Sequence, residues 1–100
     1  MKSIKYARRA NADFEDIIDY TARTWGAKQA KKYTKSIRSK IQSISEGSEH
    51  LQSLNVERAN IYQARVNRHL IILEMTDTEI RIVRILHEAM DIPRHLKLDS

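Results

Sequence analysis

Apolar residues change their spacing half-way along this chain, and the change restricts the folds open to it. Up to residue 45 they recur at intervals of three and four, whereas from Arg58 onward they fall in short β-rich runs. A helical half followed by a strand-forming half is the pattern of an α+β domain, not of an alternating βαβ chain.

The helical half divides in two. Phe14, Ile17, Ile18, Ala22 and Trp25 place one apolar stripe on a helix over residues 9–24, with Asp13, Glu15, Asp16 and Asp19 crowded into its early part. Gly26 comes directly after and is suited to end that helix. Ala27, Ala30, Tyr33, Ile37, Ile41 and Ile44 form a second stripe over residues 27–45, and Gly47 is placed to stop it. So short a joint predicts an antiparallel helical hairpin.

The strand-forming half contains three runs, Arg58 to Val66, His69 to Met75 and Ile80 to Leu86, after a polar, turn-prone stretch from Ser48 to Asn55. Asn67 and Arg68 alone separate the first two runs, and Thr76-Asp77-Thr78-Glu79 supplies the next turn, so a three-stranded antiparallel meander is expected. Lys2 to Tyr6 is a short fourth strand, and Pro93 limits the end of the chain to a short C-terminal tail. The predicted order is β-α-α-β-β-β, one domain over residues 1–100, with the hairpin packed on one face of a mainly antiparallel sheet. In the last run Ile80, Ile82, Arg84 and Leu86 alternate with Arg81, Val83, Ile85 and His87, so the far face is expected to be partly open and semi-apolar.

Charge is as unevenly spread as hydrophobicity. The formal net charge is +5. Residues 1–50 hold eleven Lys and Arg against six Asp and Glu, while residues 51–100 hold seven of each. From Thr21 to Ser45 there are seven basic residues and no acid, with Lys28, Lys31, Lys32, Lys35 and Arg38 opposite the apolar stripe of the second helix. Such a face suits an acidic protein segment or nucleic acid, but a solvated helix back is the preferred reading, because no helix-turn-helix spacing or aromatic stacking pair accompanies it.

Several kinds of chemistry are disfavoured. The chain has no cysteine, which removes disulfides and thiolate metal sites and fits a reducing cytosol. The four histidines, at 50, 69, 87 and 95, lack the spacing of a helical metal pair, so neither metal nor cofactor is expected. Neither a signal-peptide run nor a membrane-spanning stretch is visible, since the longest apolar run is Leu70 to Leu73. A soluble cytoplasmic protein is expected.

The order of motifs carries a resemblance. Ala10-Asn11-Ala12-Asp13-Phe14-Glu15-Asp16-Ile17, followed by Tyr20, Trp25-Gly26, Gln29-Ala30 and Tyr33, resembles the helical hairpin of ParE toxins in the RelE/ParE superfamily. Tyr62 with His69-Leu70-Ile71-Ile72 resembles that family's middle hairpin, and Arg81 through Asp91 its closing strand and exit. The resemblance spans nearly the whole chain. It implies the toxin of a type II toxin–antitoxin pair that poisons DNA gyrase without hydrolytic chemistry of its own. It also implies neutralisation by a ParD-like antitoxin in a hetero-oligomer, with no sequence-specific nucleic-acid binding. On this reading Arg84, His87, Met90, Asp91 and His95 are the target-binding candidates. Lys31, Lys35, Arg38, Arg58 and Arg65 are the candidates for holding an acidic, apolar antitoxin segment. The alternative is a RelE-like, ribosome-dependent mRNA endonuclease. Arg65, His69, Arg84 and His87 would then converge on a phosphate, with His87 as acid or base. No Tyr, Phe or Trp occurs from Leu73 to Ser100, which favours the ParE side of the superfamily.

Overall fold

The computed structural model describes residues 2–47, 51–53 and 60–87. Their elements are β1 (Ser3–Tyr6), α1 (Arg8–Trp25), α2 (Ala27–Ser45), β2 (Gln52–Ser53), β3 (Ile61–Val66), β4 (His69–Met75) and β5 (Glu79–His87). The sheet order is β1-β5-β4-β3-β2, with β1 parallel to β5 and the other pairs antiparallel. The expected hairpin and meander are therefore present. The expected N-terminal strand is also present, and it borders the last strand of the chain. Short β2 is an addition: it lies in the stretch read as turn, where it pairs Gln52 with Gln63 and Ser53 with Tyr62.

The hairpin is made by its joint. Gly26 adopts φ 97° and ψ 162°, a conformation essentially confined to glycine, and its N–H donates to the Ala22 carbonyl while its own carbonyl receives the Ala30 N–H. One residue thus closes α1 and opens α2. Gly47, at φ 78°, lies just past the end of α2 as expected. Two details of α1 differ from the sequence reading. It begins at Arg8, so its first turn holds no acid to complement the helix dipole. Trp25 does not complete the apolar stripe: it is 70% exposed, and Thr21 takes the buried position instead.

Between the helices and the sheet, Phe14, Ile17, Ile37, Ile41 and Ile44 pack on Ile71, Leu73, Ile80, Ile82 and Ile85. Simple alternation along β5 would also bring Arg84 to this side, beneath the hairpin. A register shift prevents it: Ile72 pairs with Arg84 but Leu73 with Ile82, leaving Val83 as the extra residue of a bulge. Beyond the bulge Ile85 replaces Arg84 on the helix side, so no arginine enters the core. On the far face Ile61, Leu70, Ile72 and Leu86 form a second cluster with Val83 against it. All four are buried, Ile72 and Leu86 completely, so the apolar part of this face is not open as expected. Apolar side chains from three neighbouring strands close on one another there.

Candidate binding surfaces

The two flanks of α1 have different fates. On one flank Asp13 reaches the edge of β5 just past the end of β1. The Ile85 N–H donates to Asp13 Oδ2 at 2.9 Å, and Arg84 forks onto the same carboxylate, Nε to Oδ2 at 2.8 Å and Nη2 to Oδ1 at 3.0 Å. The paired side chains are 13% and 14% exposed. A carboxylate here satisfies a strand-edge donor and holds the arginine displaced by the bulge. Sequence reading noted Asp13 only as one of the acids crowded into the early part of α1 and missed this contact; its only signal was the spacing of Asp13 one turn before Ile17.

On the other flank the hairpin leaves a groove of about 730 Å³ between α1 and α2. Its lining includes Ile18 and Ala22 from α1, and Ala30, Lys31, Lys35 and Arg38 from α2. Small residues at 22, 27 and 30 keep the two helices from filling the space above them. Thr34 donates its hydroxyl to the Ala30 carbonyl at 2.7 Å, turning its polar atom back onto its own helix. The Arg38 guanidinium lies 4.7 Å from the centre of the Phe14 ring, so this cation spans the gap between the helices. The result is an apolar trough with a cationic bank. Of the five residues expected to contact an acidic segment, Lys31, Lys35 and Arg38 line it. Arg65 does not: its neighbours Ala64 and Val66 pack toward the helices, so it points to the opposite face, where it is exposed. Arg58 lies outside the described residues.

A third feature sits where β4 begins and β5 ends. His69 and His87 are paired across the strands, with ring centres 5.3 Å apart and planes at 89°. Tyr33 of α2 meets His69 edge-on at 5.5 Å, and its hydroxyl shares a hydrogen bond with His69 Nδ1. The phosphate-binding set Arg65, His69, Arg84 and His87 is therefore divided. The two histidines meet on the helix side, Arg65 points the other way, and Arg84 is engaged at the sheet edge by Asp13. Of the target-binding candidates, His87 is half-buried in this cluster, while Met90, Asp91 and His95 lie outside the described residues. Among the described residues no group of three or more His, Cys, Asp or Glu is arranged to hold a metal ion, and no helix is long and apolar enough to cross a membrane.

This architecture is shared. Residues 4–92 match the family described as ParE toxin of type II toxin–antitoxin system, parDE. The chain belongs to the ParE toxin family. Toxin ParE1 of Caulobacter vibrioides is 30% identical over 96 residues, which are 96% of this chain and 99% of that toxin. Toxin ParE of Escherichia coli is 31% identical over 88 residues, 87% of this chain and 85% of the relative. A solved structure from the chromosomal ParDE system of P. aeruginosa has the same fold, with a TM-score of 0.72 and 21% identity over 87% of this chain and 96% of the other. This ParE-type chain is the toxin component of a type II toxin–antitoxin system, and the resemblance read from its hairpin and closing strand is correct. What the sequence left out is the division of α1 into a sealed flank and an open one.

Proposed function

We propose that this ParE-type toxin inhibits DNA gyrase and is held inactive by a ParD-like antitoxin, an acidic and apolar segment of which lies in the hairpin groove. The observation that carries the antitoxin contact is the groove itself, apolar along its floor and lined on α2 by Lys31, Lys35 and Arg38. A segment with apolar residues on one side and carboxylates on the other would bury the floor and pair with the bank. It would order as it binds, its folding cost offset by the buried area and charge-assisted contacts. Gyrase as the target is supported by membership of the ParE family and by the division of the four residues that nuclease chemistry would need to gather. His87 and the residues after it, Met90, Asp91 and His95, are assigned to the target contact. Arg84 is withdrawn from that set, because its guanidinium is committed to Asp13.

The test uses antitoxin-free protein in a gyrase supercoiling assay beside a ribosome-bound mRNA cleavage assay. Loss of supercoiling with accumulation of cleaved DNA, and intact message, is the expected result. Site-specific cleavage of message that disappears in His87→Ala would instead establish the nuclease alternative. For the antitoxin, charge reversal at Lys31 and Lys35 together is expected to weaken the toxin–antitoxin complex by about 100-fold at low salt, the size of two partly desolvated ion contacts.

A further inference from the structure

Over its middle turns the outer face of the hairpin is divided by charge. Helical periodicity puts Glu15 and Asp19 on the ridge of α1 farthest from the sheet, with Asp16 beside them, and Lys28, Lys32 and Lys35 on the corresponding ridge of α2. All six are exposed, and none takes part in an ion pair among the described residues. Between Arg8 and Arg23, which lie exposed on the same ridge of α1, an anionic stretch therefore runs beside a cationic ridge, with the apolar groove between them.

We infer that, when no antitoxin is bound, this face pairs with the same face of a second copy of the chain. The reason is the register of the two ridges. At about 1.5 Å of rise per residue, Asp19 lies about 9 Å from the end of α1 and Lys32 about 7.5 Å from the start of α2. Glu15 and Lys35 lie about 15 and about 12 Å from the same tip. The tip is common to both helices, so carboxylates and ammonium groups stand at matching heights. A two-fold axis lying between the two faces and parallel to the helices sets α1 of one copy over α2 of the other without sliding either. Asp19 then meets Lys32 of the second copy, and Glu15 and Asp16 meet Lys35 of the second copy, each contact occurring twice.

Other occupants fit this whole face less well. A nucleic acid would meet the anionic ridge of α1 beside the lysines of α2. A purely acidic face would be repelled along α1, so an antitoxin segment is confined to the groove and its α2 bank. Two helices about 27 Å long and about 20 Å wide together offer a footprint near the lower end of stable interfaces. A concentration-dependent dimer in the micromolar range is the expected form.

Analytical ultracentrifugation of the antitoxin-free chain from about 1 to about 500 μM tests this. A monomer–dimer equilibrium that weakens with salt is expected, with Asp19→Lys and Lys32→Glu each raising the dissociation constant at least tenfold. The double variant, which restores opposite charges across the dyad, is expected to recover most of that loss. Both positions are exposed, so the variants retain the parent's circular dichroism spectrum, and recovery in the double variant cannot arise from misfolding. A chain that stays monomeric throughout, a dimer indifferent to both single changes, no recovery in the double variant, or a monomer that binds duplex DNA through α2 would each overturn the inference. The pairing is read from the ridges rather than the groove, so its failure would leave the proposed antitoxin contact standing.

Discussion

One helix, α1, borders two very different environments. Toward β5 it is sealed: Asp13 joins the Arg84 guanidinium and the Ile85 N–H at the sheet edge. Toward α2 its outer part is unsealed, with Ile18 and Ala22 lining a groove and Trp25 exposed at the tip. The sealed flank deals with a problem created by the sheet, namely that β1 ends at Tyr6 while β5 continues to His87. The open flank has no such obligation. A carboxylate with matched partners serves stability and leaves nothing to offer a ligand, whereas apolar surface beside unpaired lysines costs some stability and remains available for binding.

The contrast can be broken most severely at Asp13. Asp13→Ala would remove the carboxylate that Arg84 and the Ile85 N–H share at a largely buried edge, and a loss of about 3–5 kcal/mol in urea unfolding is expected, with the groove unchanged. Asp13→Asn should lose less, because one amide oxygen still accepts the Ile85 N–H. Gly26→Ala comes next, at about 1–3 kcal/mol. A Cβ at this position meets no atom within 4 Å, so the cost is purely conformational and a clash cannot account for it. Tyr33→Phe removes the hydrogen bond to His69 while keeping the ring contact, and about 1 kcal/mol is expected in the same measurement. The smallest effect on folding belongs to the open flank. Ala22→Asp should change stability by no more than about 1 kcal/mol, through helix propensity and the dipole at the end of α1, yet weaken antitoxin binding at least tenfold in calorimetry, because it places a charge on the apolar floor. If Ala22→Asp destabilised the fold as much as Asp13→Ala, the two flanks would not differ as described.

Particular residues show how far the sequence could be read. The extents of α1 and α2 come from their three-and-four spacing and from Gly26 and Gly47, because helical hydrogen bonds are local and glycine at positive φ ends them. The Asn67-Arg68 turn and the Thr76–Glu79 turn are local in the same sense: Asn67 adopts φ 53°, and Thr76 Oγ1 accepts the Glu79 N–H at 3.1 Å. Lys31, Lys35 and Arg38 were legible as one cationic face, although nothing local said that small residues beside them would leave a groove. Arg84 was misplaced by strict alternation, since a bulge is decided by pairing with β4 and not by β5 itself. Trp25 was assigned to the apolar stripe because its spacing is right; it is exposed because that stripe continues past the residues that meet the sheet. The semi-apolar far face was legible in composition, but its closure depends on side chains from three strands that are distant in sequence.

Periodicity, turn chemistry and motif order within short stretches were thus enough to establish every described element but β2, their order, the cationic back of α2 and the family. They could not establish that β1 lies beside β5, that Asp13 seals the edge, that His69 and His87 meet beneath Tyr33, or that the hairpin keeps an open trough; the folded chain settles these. Each joins residues far apart in the chain, and such contacts are selected by packing and by satisfying buried polar groups, which no local pattern specifies.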